Sequence, residues 1–437
     1  MRSWSCPERS SPAVNRGQAV DANLLVAQAL QLEAEAVERM GQSQKTVDLA
    51  NQAGALYVQA GDRRGAARTL LMVGDLLFDQ GDYAGAQSKF EDAVPVFKEI
   101  GAEKSVRATQ ERIGNVFYAE GKLRESEKYY GEALRFDREI NDPYGLASDY
   151  GNIANAMDGL GDLTGSLKMQ QQSLDAFNQV GDRRGASATL NNLGNLFVEM
   201  GNLPEAKKYY EQALDLTREI AYRRGEPYPI SGIGDTLLAQ GDLAGARKQY
   251  EQAIVMCKEM NDEDFTAQLN VGLATIALLE KRYADGQVLA RQATEAYERS
   301  NSFGNWAWSE AVLARNLLGA GNLMDAQEAV LKAVALAKQS SGQTYGFEAA
   351  LADARVEAKS GKAADALKEL NTTLNSAHKF GYRLYELQIR LAMGEIEMAS
   401  GAASARAHLS ALDKEATAQG AMLVANQARA LLGGPGK

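Results

Sequence analysis

The sequence predicts an all-helical solenoid, because three sets of small residues recur every 40 positions along a helix-favouring chain. Glycine or alanine occupies ten positions at this interval, from Ala34 to Gly394. A second set, small from Thr46 to Ala366, follows twelve residues later. The third set is glycine throughout except at Lys281, at positions 41, 81, 121, 161, 201, 241, 321, 361 and 401. A period kept without a shift in register indicates one repeated structural unit.

The composition agrees with helices as the repeated element. Only 8 of the 437 residues are proline, β-branched residues are sparse, and Ala, Leu, Gly, Glu and Gln dominate. A chain of this length exceeds the usual limit for one globular core. A repeat array escapes that limit because each unit buries its apolar face against its neighbours only.

Each 40-residue unit is predicted to hold two antiparallel helices. Gly-Asp and Gly-Asn steps mark the turns, where Gly takes the left-handed position and Asp or Asn caps the next helix. Small residues are expected where two helices approach closely, and aromatic residues where space between the pairs must be filled. These aromatic residues are Phe90, Tyr130, Tyr210 and Tyr250. Counting from residue 22 predicts ten helix pairs, and residues 421–432 then form a C-terminal capping helix.

The regularity of the pattern divides the chain into four parts. Residues 1–20 lack the apolar run of a secretory signal and are predicted to be a disordered tail or the stub of something larger. Residues 21–260 form a regular array, 261–432 a degenerate array with the cap, and 433–437 a short tail. No apolar stretch is long enough to span a membrane, and a cytoplasmic location is expected.

Charge and residue usage argue against several classes of function. The net charge is −10, opposite to what nucleic acid or an anionic membrane surface favours. Cys6 and Cys257 are too few for a disulfide or metal framework, and neither His378 nor His408 has a metal-ligand spacing. Phosphate-cradling loops and kinase signatures are missing from the sequence. The sequence therefore predicts no enzyme, no metal and no cofactor.

The unit resembles the tetratricopeptide repeat, TPR. Residues 193–197, Leu-Gly-Asn-Leu-Phe, followed by Ala206 and Tyr210, match the family pattern L-G-x2-Y…A-x3-F. The usual opening Trp and late Pro are absent, and the unit is 40 rather than 34 residues long. This variant is similar to the Leu-Gly-Asn-type repeats of scaffold proteins and to TPR segments of bacterial signalling proteins. The resemblance implies a TPR-type α-solenoid, a right-handed superhelix, that binds proteins or peptides.

The resemblance also implies that the first helix of each pair lines a concave groove. On that helix Asp or Asn recurs directly after the Gly/Ala series, and Trp308 falls on the same stripe. An Asn amide is both donor and acceptor, so it can pair with a peptide backbone. The alternative is a solvated face whose Asn side chains only cap or hydrate. The predicted groove residues are Asp75, Arg112, Asn115, Tyr118, Asn152, Asn155, Asn191, Asn192, Asn195, Asp235 and Trp308.

The function favoured by the sequence is a protein-binding scaffold or adaptor that holds an extended peptide segment of a partner in this groove. Acidic residues on the groove face, among them Asp158 and Glu199, favour a partner with basic residues. One alternative is a regulatory or sensor segment of a larger or split signalling system, either a kinase or a transcription regulator. Another is self-association, because the ends of solenoids can stack.

Overall fold

All regular secondary structure in the described part of the chain is helical. The structure is a computed structural model that describes residues 12–40 and 42–433, with side chains from residue 20 onward except at residue 39. The predicted tail residues 1–11 and 434–437, and the first glycine of the series, Gly41, lie outside the described residues. None of the described helices is long and apolar enough to cross a membrane.

The chain forms two compact units that divide within one helix. Unit 1 comprises Met1–Glu120 and Lys128–Phe136, and unit 2 comprises Gly121–Glu127 and Asp137–Lys437. The helices of unit 1 are α1 (Pro12–Arg39), α2 (Ser43–Ala60), α3 (Arg63–Asp79), α4 (Tyr83–Glu99) and α5 (Glu103–Ala119). Helix α6 (Leu123–Glu139) contributes residues to both units.

Unit 2 continues the same alternation of first and second helices. Its first helices are α7 (Pro143–Gly159), α9 (Arg183–Glu199), α11 (Pro227–Ala239), α13 (Glu263–Leu279), α15 (Phe303–Gly319), α17 (Gln343–Lys359) and α19 (Arg383–Ala399). Its second helices are α8 (Leu163–Val180), α10 (Leu203–Glu219), α12 (Leu243–Glu259), α14 (Tyr283–Arg299), α16 (Leu323–Ala337), α18 (Ala363–Phe380) and α20 (Ala405–Ala418). A 3-10 turn, Arg223–Gly225, precedes α11, and α21 (Met422–Gly433) follows the last pair. The predicted ten helix pairs and capping helix are confirmed.

The turns between helices adopt the backbone conformation that the glycine series predicts. Gly81 and Gly201 have φ values of 77° and 75°, in the left-handed region that favours glycine. Lys281, the exception in the series, adopts the same conformation with a φ of 62°. The next helix is capped as expected, since the Asp82 side chain accepts a hydrogen bond from the Gly85 backbone N–H at 2.9 Å.

The first helix begins earlier than the sequence analysis predicts. Helix α1 starts at Pro12, so residues 12–20 are helical where a tail is predicted. Proline suits the first turn of a helix, because its missing N–H has no intrahelical partner there and its φ is already helical. The following residues include Ala13, Gln18 and Ala19, which favour helix.

The small-residue series lies where aromatic rings of the second helices pack. A Cβ added to Gly194 of α9 would lie 2.5 Å from the Tyr210 ring, and one added to Gly232 of α11 would lie 2.2 Å from it. Tyr210 of α10 is 1% exposed, so its ring fills the space between two successive first helices. In the same way, a Cβ added to Gly234 or to Gly272 would lie 2.7 or 2.9 Å from the Tyr250 ring.

Replacement of Gly194 by Ala is expected to lower the free energy of unfolding by about 1–3 kcal/mol, because the new Cβ overlaps the buried Tyr210 ring. Gly131→Ala is the matched control, since a Cβ at Gly131 of α6 meets nothing within 4 Å. The control should stabilise the protein by up to about 1 kcal/mol through helix propensity. Urea unfolding followed by circular dichroism compares the two. A Gly194→Ala variant as stable as Gly131→Ala would rule out the close approach.

Unit 2 closes on itself through contacts between residues far apart in sequence. The Tyr382 hydroxyl donates to the backbone oxygen of Asp158 at 3.0 Å, across 224 residues. Leu163 and Leu196 share a buried apolar cluster with Phe347 and Tyr382. The turn that precedes α8 and the C-terminal end of α9 therefore pack against α17 and the α18–α19 turn. This closure, which we call the seam, connects the early and late repeats of unit 2.

Candidate functional site

The predicted Asp and Asn stripe makes hydrogen bonds inside its own repeats. In four successive repeats its side-chain oxygen accepts a hydrogen bond from a residue of the second helix, 15 positions later. These pairs are Tyr130 to Asn115 at 2.7 Å, Gln170 to Asn155 at 2.9 Å, Tyr210 to Asn195 at 2.7 Å and Tyr250 to Asp235 at 2.5 Å. The stripe therefore has a structural role that the sequence analysis did not assign to it.

The amide N–H groups of the stripe are the part left for a ligand. The Nδ2 groups of Asn115 and Asn195 donate no hydrogen bond to any described residue, and Asn195 is exposed. Asn192 uses its Nδ2 to donate to Asn155 Oδ1 of the preceding repeat at 3.3 Å. The Asn191 Oδ1 is buried and has no hydrogen-bond partner within the described chain. The stripe thus offers a ligand mainly hydrogen-bond donors. It offers fewer of them than a row of Asn side chains without internal hydrogen bonds would.

Three of the predicted groove residues come together in unit 1. The Arg112 Nε lies 2.7 Å from Asp75 Oδ1, and both residues line a cavity of about 360 Å³ with Asn115. The Arg112 charge is therefore partnered within the protein. Tyr118 is 43% exposed, and Asn152 is half-buried.

A larger cavity of about 630 Å³ lies inside unit 2. The first helices α11, α13, α15, α17 and α19 form its wall together with α21. Its volume falls within the range of cavities that hold small ligands. Two of the predicted groove residues, Asp235 and Trp308, lie on this wall. Its apolar surface is rich in leucine, namely Leu238, Leu278, Leu279, Leu318, Leu351, Leu384, Leu391 and Leu423.

Charged groups occupy the same wall as the leucines. Arg355 Nε lies 2.8 Å from Glu395 Oε2, and Arg315 Nη1 lies 3.9 Å from Glu348 Oε2. The Tyr385 hydroxyl donates to the other oxygen of Glu348 at 3.3 Å. Burial raises the pKa of Glu348, and burial followed by the positive charge of Arg355 lowers the pKa of Arg315. Glu348 and Arg315 are therefore poorly solvated, and the charged form of each is disfavoured at its position.

The Arg and Glu residues of this cavity are absent from the sequence-based site. The sequence could have indicated three of them, because Arg315, Arg355 and Glu395 continue the Asp/Asn stripe at the same interval of 40 residues. The expectation of a basic partner rested on the acidic residues of the earlier repeats alone. After Asp235 the stripe no longer carries Asp or Asn, and its Arg and Glu residues lie in the repeats that match the family pattern less well.

The Asp235 carboxyl group gives the fold a specific pH dependence. Burial raises the pKa of Asp235 from 3.8 to about 6 in the folded protein. The folded state therefore binds the carboxyl proton of Asp235 more tightly than the unfolded chain does. The contribution of Asp235 to the free energy of unfolding grows as pH falls from about 6 to 4. Asn should accept the Tyr250 hydrogen bond as Asn195 accepts that of Tyr210.

Asp235→Asn is thus expected to be more stable than the wild type above pH 6, with the difference vanishing near pH 4. Urea unfolding of both proteins at about pH 7.5 and 4.2 measures this difference. An equal difference in stability between variant and wild type at both pH values would show that the pKa of Asp235 is not raised in the folded protein.

No cluster of three or more His, Cys, Asp or Glu side chains suited to a metal ion occurs in the part of the chain that the structure describes. Cys257 is buried, and burial raises the pKa of its thiol to about 12. Its position against the core cluster of α10–α13 is that of a small apolar residue.

Comparison with known families agrees with the helical repeat. A family model described as a MalT-like TPR region matches residues 147–393, and one described as a tetratricopeptide repeat matches residues 105–179. No curated protein matches the sequence. The family matches confirm the TPR resemblance seen in the repeat pattern.

Several solved structures share the fold at low sequence identity. The Rap conjugation gene regulator of the plasmid pLS20, in complex with the Phr* peptide, is 16% identical, with a TM-score of 0.56 over 73% of this chain and 95% of its own. A Rap protein complexed with competence and sporulation factor is 13% identical, with a TM-score of 0.55 over 84% and 99%. The apo quorum sensor NprR from B. thuringiensis is 15% identical, with a TM-score of 0.52 over 74% and 93%. These likenesses show a common TPR-type helical-repeat fold.

Proposed function

Since the chain belongs to the family of MalT-like TPR regions, we propose that it is a non-catalytic receptor that holds an extended peptide in the cavity of unit 2. The observation that carries this proposal is the cavity itself. It joins a leucine-rich wall to a few polar and charged groups, the combination that ligand sites use for affinity and orientation.

The size of the cavity favours a short ligand over a folded partner. Residues of five successive first helices and of the capping helix line about 630 Å³. A globular domain does not fit this space, whereas a few residues of extended chain do. The seam holds the two sides of the wall together, so a ligand that touches both sides stabilises the closed unit. This coupling favours a sensor or regulatory role over that of a passive adaptor.

The polar groups along the first helices suit a peptide backbone. Thr275, Gln388 and Gln427 line the cavity and supply both donors and acceptors. Asn195 lies about one helical turn before Val198, which also lines the cavity. A peptide that leaves the cavity along α9 would therefore meet the free Nδ2 group of Asn195, as the groove hypothesis requires.

The similar structures support a peptide as the ligand class. The pLS20 Rap regulator is in complex with the Phr* peptide, another Rap protein is complexed with competence and sporulation factor, and NprR is a quorum sensor. Those ligands belong to those proteins. Their shared fold supports a peptide-binding regulator here as the leading function.

The experiment uses the full chain and a defined pool of N-acetylated six-residue peptides built from apolar and small polar amino acids. The protein is incubated with the pool and separated by gel filtration, and the retained peptides are identified by mass spectrometry. We expect a subset rich in leucine-like side chains. Each retained peptide should raise the free energy of unfolding, by about 2.7 kcal/mol at a concentration 100 times its Kd.

Two results would overturn the proposal. One is a pool from which no peptide is retained at millimolar total concentration. The other is retention without any rise in the thermal midpoint, because a ligand bound only to the folded cavity must stabilise the fold.

A further inference from the structure

Two carboxyl groups lie at the seam of unit 2. Asp158 is near the C-terminal end of α7, and Glu199 is the last residue of α9. The Tyr382 hydroxyl donates to the backbone oxygen of Asp158, and Leu196 and Met200, on either side of Glu199 in sequence, pack in the apolar cluster of the seam. The carboxyl end of a helix carries partial negative charge, so an ionised side chain is unfavourable at either position.

The two side chains form a pair that requires a proton. They are close enough to hydrogen-bond to each other. Asp158 Oδ1 and Glu199 Oε2 are both buried, and neither accepts a hydrogen bond from any described residue. Two carboxylates have no proton to donate, whereas a protonated group donates to its ionised neighbour. One proton held between the two groups therefore satisfies the pair, and its loss leaves two like charges in poor contact with water.

Tyrosine hydroxyl groups surround Glu199 but donate elsewhere. Burial, followed by nearby negative charges that include Glu199, raises the pKa values of four tyrosines, namely Tyr210 of α10, Tyr345 of α17, and Tyr382 and Tyr385 of α19. Their hydroxyl groups donate to Asn195, Asn305, the Asp158 backbone oxygen and Glu348, respectively. A hydroxyl group has one proton, so none of the four is left for the carboxyl pair.

The other titratable groups of the adjoining elements have partners of their own. These groups are Asp162, Asp235, Glu348, His378, Arg383 and Glu386. Arg383 and His378 both pair with Glu386, Asp162 caps α8, and Asp235 and Glu348 accept hydrogen bonds from tyrosines. No described Lys or Arg side chain stabilises the ionised form of Asp158 or Glu199. The pair therefore lacks a counter-charge.

Both carboxyl groups are next to turns that approach the late repeats closely. Gly161 follows Asp158 by three residues, and a Cβ added to it would lie 2.6 Å from the Phe380 ring. Gly201 follows Glu199 by two residues, and a Cβ added to it would lie 3.0 Å from the Arg383 Cβ. Water reaches the pair from this side only if these two contacts separate. Hydration of the pair and opening of the seam are thus the same movement.

The direction of the pH effect follows from burial. Burial raises the pKa of Asp158, and burial and then the charge of Asp158 raise the pKa of Glu199 well above its ordinary value. In an open seam both groups are hydrated and ionise at ordinary pH values. The closed seam therefore binds the shared proton more tightly than the open one. Closure is favoured at low pH, and this contribution is lost as pH rises through the raised pKa of the pair.

We propose that the Asp158–Glu199 pair is a pH-sensitive switch of the seam, closed when one proton is shared by the two groups and opened by loss of that proton. Because the seam joins the two sides of the cavity wall, the switch regulates access to the cavity of unit 2. The inference goes beyond the proposed function, since it depends on the seam contacts alone. Its test uses no peptide, so its failure and that of peptide binding are distinguishable.

The test measures how often Tyr382, which is 1% exposed, becomes accessible to water in the full chain. A pulse of hydroxyl radicals oxidises accessible tyrosine side chains, and mass spectrometry measures the yield. Tyr57, which is 4% exposed in unit 1, is the internal reference. The ratio of Tyr382 to Tyr57 oxidation is compared at about pH 5.5 and about pH 8. Helical circular dichroism at both pH values verifies that each protein is folded.

Four proteins are compared, namely the wild type, Glu199→Gln, Asp158→Asn and Glu251→Gln. The last is the control, because Glu251 is exposed on α12. We expect the wild-type ratio to rise roughly 10-fold from the lower to the higher pH, the factor that corresponds to one pKa unit between closed and open seam. Glu251→Gln should match the wild type. In Glu199→Gln and Asp158→Asn the new amide donates permanently to the remaining carboxylate, so the ratio should stay at the low wild-type value at both pH values.

A wild-type ratio that is unchanged or falls as pH rises overturns the switch, and this comparison needs no variant. A rise of wild-type size in folded Glu199→Gln and Asp158→Asn also overturns it, because the pH dependence then belongs to another group. Other groups that change charge over this range act equally in all four proteins. A rise that is present in Glu251→Gln and absent from either amide variant supports the assignment.

Discussion

A Phe347→Ala variant is expected to lose about 3–5 kcal/mol of unfolding free energy and to bind peptide more weakly than the wild type. Phe347 is 4% exposed in the apolar cluster that forms the seam. Its ring centroid lies 5.4 Å from that of Tyr382 and 5.3 Å from that of Tyr385, at 75° and 53°. Removal of the ring leaves a cavity among these tyrosines and loosens α19 against the early repeats of unit 2.

Phe97→Ala is the matched control for this prediction. Phe97 is 1% exposed in unit 1, so its loss should cost a similar amount of stability. Peptide retention by unit 2 should survive it under conditions where the protein remains folded. Urea unfolding and peptide-pool retention are measured on both variants. If Phe347→Ala is destabilised but retains peptides as well as Phe97→Ala does, the seam does not shape the binding site.

The second large effect is expected at Tyr210, where Tyr210→Ala should also cost about 3–5 kcal/mol. The buried ring fills the space left by Gly194 and Gly232 and therefore joins two successive repeats. Its hydroxyl donates to Asn195 Oδ1 at 2.7 Å. Tyr210→Ala removes both the ring and the hydrogen bond, so the repeats on either side lose a buried contact that joins them.

Tyr210→Phe separates the ring from the hydroxyl. It keeps the packing and removes one hydrogen bond, which is worth about 0.5–1.5 kcal/mol. Asn195 is exposed, so its oxygen can bind water instead. Equilibrium unfolding in urea, followed by helical circular dichroism, ranks the three proteins. A Tyr210→Phe variant as unstable as Tyr210→Ala would place the energy of this contact in the hydrogen bond and contradict the packing account.

The fold was predictable because small residues have a direct geometric meaning. Gly194 predicts a close helix approach, and Gly201 predicts a left-handed turn, without knowledge of any distant contact. Lys281 shows that the turn persists without glycine, because the flanking helices impose it. The start of α1 at Pro12 was missed because that segment carries no repeat signal from which its register could be read.

The candidate site was only partly predictable. The stripe of Asn195 and Asp235 follows from the period, but its hydrogen bonds to Tyr210 and Tyr250 depend on side-chain directions that the period does not specify. Arg315 was overlooked because the family pattern weakens in those repeats, although its position on the stripe is regular. The seam, which joins residues 224 apart, follows no repeat rule and required the three-dimensional structure.

The most direct test of the central claim is to fill the cavity. Thr275 lines it on α13, whereas Val288 on α14 is 57% exposed, so Thr275→Trp and Val288→Trp add the same side chain inside and outside. With both variants shown to fold, the retained peptides are titrated by calorimetry. The account predicts a Kd at least about 10-fold higher for Thr275→Trp and unchanged for Val288→Trp, since peptide and indole compete for one space. Wild-type affinity in Thr275→Trp would contradict binding in the cavity of unit 2.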